Sequence, residues 1–486
     1  MGRGHDYRRI ADRIGADIAA GRLRPGERLP PQRAFARRHG IAASTAERAY
    51  GELVRRGLVV GEVGRGTFVR AAAPLPAGRA LTEPAAEEPA GPRPGDLSAP
   101  AGPRPGNPSA PVDPKPGNPS APVNLELNYP SVPGQSELLA PALAPLLRPD
   151  VLTEALRPAP VTGTASAREA VSELLAGPGW RPDPAGLLFT GNARQAIAAS
   201  LASLVRPGGR VGVEELTYPL VKEIAGRLGC ELVPLPGDED GPLPDAVAAA
   251  HRRAPLSALY LQPTLHNPTS RTMSARRRND LAESVRNLAI PVIEDRIWSF
   301  LDATAEVTPF AALAPELTCV VDGLSKRVAP GLTVGFLVVP PQRVETVAAA
   351  VRSGGWGAGR FALEAGVRWI ADGTVARLVG AKRADAVRRQ ALLAEVLDGF
   401  RVRSDPRAYF AWWELPAPWR ADTFTAAAAA HGIAVTPGSA FAVDPRRTPD
   451  AVRLGLGSAE FPDLERALRV LGDVVRGAGR GGPSGP

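Results

Sequence analysis

The sequence has few cysteines and lacks the long apolar run of a membrane span. Its 486 residues include two cysteines, Cys230 and Cys319, without the spacing of metal ligands. This scarcity argues against a disulfide-stapled scaffold and fits a reducing compartment. No apolar run reaches the length of a membrane span, and the first residues open no apolar targeting segment. We therefore expect a soluble, cytoplasmic protein that does not meet a membrane.

Lysine is absent from the first 70 residues, although they contain 15 arginines. With seven acidic residues in the same stretch, their net charge of +8 equals that of the whole chain. The remaining 416 residues are neutral, with 43 basic and 43 acidic side chains. A compact basic module beside a neutral body favours contact with a polyanion, most often nucleic acid. The length predicts two or three domains.

The pattern over residues 1–70 predicts three helices followed by two short strands. Within 7–20, one helical face carries the apolar residues Tyr7, Ile10, Ile14 and Ile18. A second helix is expected over 32–39, and a third from an N-cap at Ser44 or Thr45 to about Arg56. Strands over 58–61 and 66–69 are expected to form a two-stranded wing.

This order of elements suits double-stranded DNA, because such a helix fits the major groove with its N-terminal residues facing base edges. The second helix and the wing can then contact phosphates or the minor groove. A surface of solvated arginines would have the same composition, but the wing and the confined charge favour DNA binding. The candidate contacts are Arg33, Ser44, Thr45, Arg48, Arg65, Gly66 and Thr67.

Residues 1–70 resemble the winged helix–turn–helix of the GntR family. The segments that carry the resemblance are GRLRPGERLP at 21–30, RAFA at 33–36, ST at 44–45, RAYGEL at 48–53 and GRGTFV at 64–69. One departure is Ala43, where that family often carries a polar or basic residue. A contact to a base or phosphate is expected to be missing there.

Residues 71–123 are rich in proline, glycine and alanine and contain a repeat with an eleven-residue period. Its copies begin at Pro92, Pro103 and Pro114. The repeat has no apolar face, and proline blocks both helix and strand pairing, so we expect an extended spacer that lets the DNA module move independently. At the other end of the chain, residues 476–486 are expected to be a flexible tail.

Strands and helices alternate from about residue 124 to 475, which predicts an α/β domain. Apolar runs are typical of short buried strands at 187–190, 210–213, 256–261, 290–293 and 319–321. A later α+β portion begins near residue 351. It has strands near 410–413 and 452–456.

Lys326 lies within residues 322–336, between a small-residue turn and an apolar segment typical of a buried strand. Burial disfavours the ammonium form and lowers the pKa of a lysine. A neutral amine can condense with an aldehyde to give a Schiff base. A surface lysine at a loop edge would fit this stretch equally well, so features elsewhere must decide.

Two features could hold a phosphate and a flat ring near such a lysine. The turn at 190–197 joins a strand to a helix, and the backbone N–H groups of Asn192, Ala193 and Arg194 can hold a phosphate there. Such a turn is also a common packing device. Tyr218 follows a strand end, where it could stack on a ring or simply fill the core.

Two polar residues follow later strands. The side-chain amide of Asn267 could donate to a phenolate oxygen, although Asn-Pro is also an ordinary turn signal. Asp295 ends an apolar strand, where it could pair with a protonated ring nitrogen or cap a helix. In this order, with Lys326, these residues describe a pyridoxal phosphate site, in which the cofactor carries the chemistry.

Residues 124–475 resemble the type I aminotransferase fold, and the whole chain resembles the MocR subfamily of pyridoxal phosphate-dependent regulators. The resemblance implies a bacterial transcription factor, usually a homodimer, whose body senses pyridoxal phosphate or a small amino compound. Arg453 matches the arginine that binds a substrate carboxylate in this fold. It could also be a surface arginine at a strand edge.

The chain departs from these relatives at several positions. Gly323 stands where many carry serine or threonine, Thr333 and Val334 stand where many carry a phosphate-binding arginine, and Trp298 replaces a tyrosine. We count Ser325 and Trp298 among the cofactor-binding residues. Our hypothesis is that Arg327 supplies the missing cation.

Three functions are compatible with these features. The first is a regulator that responds to pyridoxal phosphate or to an amino compound through it. The second is a working aminotransferase with a DNA-binding appendage, and the third is a regulator that has lost the cofactor. We favour the first, because the losses at the phosphate site argue against an efficient catalyst.

Overall fold

The computed structural model describes residues 6–19, 22–23, 27–56, 58–62, 66–69, 122–177, 179–302 and 308–478. Residues 71–121 of the spacer predicted over 71–123, and Arg65 at the predicted wing tip, lie outside these residues, whereas Val123 already belongs to a strand. Residues 479–486 of the predicted tail also lie outside the described residues. The first residues of that tail belong to a helix that continues to Ala478.

The described N-terminal part contains three helices and a three-stranded antiparallel sheet. Its elements are α1 Asp6–Ala19, β1 Arg28–Leu29, α2 Gln32–Arg38, α3 Ala43–Arg55, β2 Val59–Glu62 and β3 Gly66–Val69. The strand order is β1-β3-β2, so the predicted two-stranded wing was incomplete. The added strand pairs Leu29 with Thr67, and Leu29 is buried in the core. A two-residue strand is too short to give a periodic signal.

The apolar face predicted for α1 is confirmed. Ile14 is buried, and Ile10 and Ile18 pack against the same core. Tyr50 closes that core from α3, and its hydroxyl donates to the carbonyl of Pro30 at 2.7 Å. Tyr7 stays nearer the surface, beside Arg48.

The predicted cap of α3 was wrong. The helix begins at Ala43, and its N-cap is Ala42, whose backbone is extended and whose side chain has no oxygen to accept a hydrogen bond. Ser44 and Thr45 lie inside the first turn instead. Serine and threonine are residue types that predict an N-cap, but the last extended residue before the helix is Ala42, two residues before Ser44.

The body is built on a seven-stranded sheet with the order β5-β13-β12-β11-β10-β6-β7. Its strands are β5 Leu187–Thr190, β6 Arg210–Glu214, β7 Glu231–Leu235, β10 Ala258–Leu261, β11 Val292–Asp295, β12 Thr318–Gly323 and β13 Gly335–Val338. Six of them run in one direction, and β13 is antiparallel to both of its neighbours. The predicted α/β fold is confirmed.

Both faces of this sheet are covered, which explains its continuous apolar strands. On β10, Tyr260 joins the cluster that contains Val347, while Leu259 joins the cluster that contains Leu281. The carboxyl ends of the six parallel strands meet at one edge. Ligands of open α/β sheets bind at that edge.

A smaller antiparallel sheet follows, with the order β14-β15-β18-β17. Its strands are β14 Arg401–Ser404, β15 Phe410–Glu414, β17 Thr436–Pro437 and β18 Ala451–Gly455. Two short pairs complete the body, β4 Val123–Asn124 with β16 Ile433–Ala434, and β8 Gly237–Asp238 with β9 Gly241–Pro242. The first pair fixes the start of the segment 125–132.

The helices of the body surround the two sheets. They are α4 Gln135–Leu143, α5 Pro149–Ala155, α6 Ala165–Leu175, α7 Ala193–Leu204, α8 Pro219–Arg227, α9 Pro244–Arg253, α10 Ala275–Leu288, α11 Phe310–Leu313, α12 Leu324–Arg327, α13 Val344–Ser353, α14 Arg360–Ala371, α15 Thr374–Val396, α16 Ala421–Ala430 and α17 Phe461–Ala478. Short 3₁₀ turns lie at 144–147, 184–186, 299–301, 341–343, 438–440 and 445–447. Among the described helices, none is both long and apolar enough to cross a membrane.

Candidate functional site

A pocket opens at the carboxyl edge of the large sheet, next to the smaller sheet. The predicted residues that line it are Asn192, Ala193, Arg194, Tyr218, Asn267, Asp295, Trp298, Ser325, Lys326 and Arg453. The loops after five of the parallel strands and strand β18 bring them together. Arg327 is the one predicted pocket residue that does not line it.

Lys326 lies on the one-turn helix α12, directly after β12, and its amine faces the pocket. Its Nζ donates to the carbonyl of Asn128 at 2.6 Å and lies 3.8 Å from the ring centroid of Tyr129. Burial, and then the nearby charges of Arg453 and Arg194, hold the pKa of Lys326 well below its usual range. Burial therefore favours the uncharged form of this amine, and the alternative of a surface lysine is excluded.

A second buried lysine fixes the turn that carries Lys326. The ammonium of Lys382, on α15, donates to the carbonyl of Lys326 at 3.0 Å and to that of Val328 at 2.8 Å. Lys382 is fully buried, and burial lowers its pKa to about 7. Sequence reasoning missed this contact, because Lys382 stands in the middle of a long helix and its partner is 56 residues away.

Gly323 allows the backbone of this turn to approach the start of β13. A Cβ at Gly323 would lie 2.8 Å from the carbonyl oxygen of Val334. The same carbonyl accepts a hydrogen bond from the N–H of Leu324 at 2.9 Å. The departure from serine or threonine at this position thus has a packing reason.

Asp295 is held at the end of β11 by three donors. Its Oδ2 accepts hydrogen bonds from the hydroxyl of Tyr260 at 2.6 Å and the amide of Gln262 at 2.9 Å, and its Oδ1 accepts from the N–H of Ile297 at 3.0 Å. Burial raises the pKa of Asp295 to about 6. A cation placed against this carboxylate would favour its ionised form.

Four residues that line the pocket each have a buried polar side-chain atom without a hydrogen-bond partner in the described part of the chain. These atoms are Asn128 Nδ2, Asn267 Oδ1, Thr333 Oγ1 and Arg453 Nε. An unsatisfied buried polar group costs about 1–3 kcal/mol. Four such atoms facing one pocket indicate that it is shaped for a polar ligand.

The helix α7 points its N-terminus at the pocket. Asn192 is its N-cap, and the side-chain oxygen of Asn192 accepts the N–H of Gln195 at 3.1 Å. Arg194, in the first turn, is half-buried, and no described residue forms an ion pair with it. Free N–H groups and a free guanidinium at a helix start favour an anion.

The placement of Arg327 contradicts the hypothesis that it supplies the missing cation. Its guanidinium is buried against Asp322, with Nη2 at 2.9 Å from Oδ2, and it also donates to the carbonyl of Gly323 at 3.0 Å. A guanidinium already paired with a carboxylate is unavailable to a second anion. Arg194 is the cation that the pocket offers instead.

Arg453 lies in the interior of the small sheet, between β15 and β17, so it is not a surface arginine at a strand edge. Its Nη2 donates to Thr436 Oγ1 at 3.2 Å and to the main-chain carbonyl of Glu126. Burial lowers the pKa of Arg453 to about 10, against the opposing charge of Glu126. At neutral pH it remains a cation in the pocket wall.

Sequence reasoning missed eight of the residues that line the pocket. They are Glu126, Asn128, Tyr129, Ile197, Gln262, Ile297, Pro330 and Thr333. The first three belong to the segment after β4, which crosses the pocket. The sequence does contain a signal for this segment, namely an amide, an aromatic ring and a proline in succession after a strand.

Of the candidate DNA contacts within the described residues, Arg33 lies in the first turn of α2, Ser44 and Thr45 lie in the first turn of α3, and Arg48 lies one turn later. Gly66 and Thr67 lie on β3. Arg33 and Ser44 are exposed, and Thr45 is half-buried. The guanidinium of Arg48 lies 4.4 Å from the ring centroid of Tyr7, so this arginine is partly held by α1. Gly66 has a φ of 126°, a conformation that favours glycine, and Thr67 follows it in β3.

Comparisons with known proteins agree with this geometry. The family model "Aminotransferase class I and II" matches residues 153–471, which is more than half of the chain. The chain belongs to the aminotransferase class I and II family. A second family model, "Bacterial regulatory proteins, gntR family", matches residues 6–69. The combination of a GntR helix–turn–helix with an aminotransferase domain is that of MocR-type regulators.

Individual relatives include both transcriptional regulators and an aminotransferase. The chain is 29% identical over 305 residues to YdeF of Bacillus subtilis, an uncharacterized HTH-type transcriptional regulator, and this match spans 63% of the chain and 66% of YdeF. It is 27% identical over 509 residues to the HTH-type transcriptional regulator TauR of Rhodobacter capsulatus, spanning 96% and 97% of the two chains. The solved structure of LysN, an α-aminoadipate aminotransferase from Thermus thermophilus, superposes with a TM-score of 0.65 at 24% identity, covering 73% of this chain and 92% of LysN.

Aminotransferases of this family use pyridoxal phosphate, and the pocket residues fit that group. Lys326 provides an amine whose pKa is lowered, Asp295 provides a fixed carboxylate, and Arg194 provides a free cation at a helix start. The unpartnered polar atoms offer further hydrogen bonds to a cofactor. None of the described residues forms a metal-ligand cluster.

Proposed function

We propose that the chain is a DNA-binding transcriptional regulator whose aminotransferase domain binds pyridoxal phosphate and senses a small amino compound. The observation that carries this proposal is Lys326, a buried amine held in a polar pocket without a carboxylate partner. Through the DNA-binding module at the other end of the chain, ligand binding in that pocket would control binding to DNA.

Pyridoxal phosphate supplies an aldehyde and an electron-withdrawing ring. Lys326 would hold the aldehyde carbon, because burial favours the uncharged, nucleophilic form of its amine. Asp295 would accept a hydrogen bond from the protonated ring nitrogen, and Tyr260 and Gln262 hold that carboxylate in place. Asn267 would contact the phenolic oxygen, since its amide faces the pocket.

The ring and the phosphate need different surroundings. Tyr218, after β6, and Trp298, after β11, would flank the ring. The phosphate would lie at the start of α7, against Ala193, Asn192 and Arg194. On the opposite side, Ser325 and Thr333 line the same pocket and offer hydroxyl groups.

The effector would be read by Arg453, whose buried guanidinium suits a carboxylate. We further propose that the protein works as a homodimer. Its parts would be a DNA module over 1–70, a spacer over 71–123 and the sensing body that follows. Occupied and empty pockets would then bias how two DNA modules meet an operator.

A working aminotransferase is the second candidate, favoured by the joint presence of Lys326, Asp295 and Arg453 in one pocket. Turnover of amino-group transfer to a keto acid would support it. We favour the regulator, since a DNA module has little use on a metabolic enzyme.

The test uses the full chain and DNA from its own upstream region. Visible absorbance is measured during titration with pyridoxal phosphate, and DNA binding is measured with and without the cofactor and candidate amino acids. We expect a visible band and a shift in operator affinity, both lost in Lys326→Ala and kept in the matched control Lys115→Ala. A colourless protein that binds the operator equally well in both conditions would overturn the proposal.

A further inference from the structure

The pocket contains an acidic side chain that has no part in the cofactor contacts proposed above. Glu126 lines the wall beside Arg453, on the segment that crosses the pocket after β4. The two residues touch through the main chain, since the guanidinium of Arg453 donates to the carbonyl of Glu126. The wall therefore presents both a cation and a carboxylate to whatever binds next to Lys326.

The carboxylate of Glu126 is available to a ligand. Among the described residues, none forms an ion pair or a side-chain hydrogen bond with it. The other carboxylate of the pocket, that of Asp295, is instead occupied by Tyr260 and Gln262. Of the two, Glu126 is thus the one free to accept a new donor.

The electrostatics of Glu126 agree with its geometry. Burial raises the pKa of its carboxyl group, and the charge of Arg453 offsets that rise only in part. A half-buried carboxylate without a direct partner among the described residues gains most from a cation that can also donate hydrogen bonds, because such a cation favours its ionised form. A ligand ammonium has both properties.

We propose that the effector is a diaminocarboxylic acid, a compound with two amino groups and one carboxylate, and that Glu126 binds the amino group farther from the carboxylate. This inference rests on the proposed function, in which the pocket receives an amino compound. Arg453 binds the carboxylate, Lys326 and the cofactor contact the first amino group, and Glu126 binds the second amino group. The pocket then rejects simple monoamino acids, because they would leave Glu126 unpaired.

The experiment compares matched pairs of compounds by calorimetry on the full chain. Each pair has the same number of carbons and differs in the distal amine: lysine with norleucine, ornithine with norvaline, and 2,4-diaminobutyrate with 2-aminobutyrate. A charge-assisted hydrogen bond in a half-buried site predicts about 10- to 100-fold tighter binding of the diamino member in at least one pair. 1,5-Diaminopentane, which lacks the carboxylate, should bind more weakly than lysine.

Two variants distinguish a specific contact of Glu126 with the ligand from a general effect of negative charge on binding. Glu126→Gln keeps the shape of the side chain and should abolish the preference for the diamino member, whereas Glu137→Gln, at an exposed position of α4, should keep it. Melting temperatures of both variants verify that they fold. Equal binding within all three pairs, or a preference that survives Glu126→Gln, would overturn the inference.

The cofactor proposal is read out separately in the same samples. A visible band with no diamine preference refutes only the role of Glu126. A preference that depends on Glu126 in a chain that never takes up pyridoxal phosphate supports the role of Glu126 while refuting the cofactor proposal. If Glu126 only neutralises Arg453, Glu126→Gln will strengthen the binding of all six acids alike, which also refutes the inference.

Discussion

Replacing Lys382 with methionine should remove a specific pH dependence of stability. Lys382 is fully buried, and burial lowers its pKa from the ordinary 10.5 to about 7. In the unfolded chain its amine keeps a proton up to about pH 10.5. In the folded protein it loses that proton above about pH 7.

The sign of the effect follows from proton linkage. Between pH 7 and 10.5 the unfolded state binds more protons at this site, so the free energy of unfolding of the wild type should rise with pH. The maximum slope is about 1.4 kcal/mol per pH unit, and the whole rise is about 5 kcal/mol. Methionine cannot titrate, so Lys382→Met should lose this contribution. It should also leave two buried carbonyls without a donor, at about 1–3 kcal/mol each.

Urea unfolding at pH 7, 8, 9 and 10 measures the difference. The wild type should gain stability relative to Lys382→Met as the pH rises. Lys115→Met, in the predicted spacer, should follow the wild type. Parallel pH profiles for the wild type and Lys382→Met would refute the reasoning that Lys382 is buried against its two carbonyls.

The remaining predictions concern the pocket and the DNA module. Arg194→Gln should weaken the affinity for pyridoxal phosphate by about 10- to 100-fold, since a charge-assisted phosphate contact is lost; unchanged affinity in an absorbance titration would exclude a phosphate site at α7. Arg327→Gln should instead lower the free energy of unfolding by about 3–5 kcal/mol, because it leaves Asp322 buried without its cation; urea unfolding measures it, and an unchanged midpoint would contradict the pairing. Arg33→Ala should weaken the binding of operator DNA and of non-specific DNA alike, and it should reduce the salt dependence of binding by about one phosphate contact. A loss of affinity confined to the operator would instead show that Arg33 recognises a base.

Much of the fold could be predicted because its strands are apolar on both faces. The strands near Leu187, Val211 and Val320 stand out as continuous buried runs. The short strand at Arg28–Leu29 could not be predicted, since two residues have no period. The predicted N-cap of α3 was wrong because residue type alone does not fix where the backbone turns into the helix.

The candidate site was predictable where each residue follows its own strand. Asn192, Asn267, Asp295 and Lys326 all do so, and the parallel sheet brings those strand ends together. Glu126 and Lys382 could not be found this way. Each contacts the site across a long sequence separation, from a crossing segment and from the middle of a helix. The hypothesis about Arg327 failed because adjacency to Lys326 along the chain says nothing about Asp322, which takes its charge.

The central claim is that Lys326 is the amine that captures the aldehyde coenzyme. The direct measurement is borohydride reduction of the full chain mixed with pyridoxal phosphate, followed by peptide mass spectrometry. The account predicts a stable pyridoxyl group on Lys326, although Lys222 and Lys382 are also buried amines with lowered pKa values. A label on either of those two lysines instead, or no label at all, would contradict it.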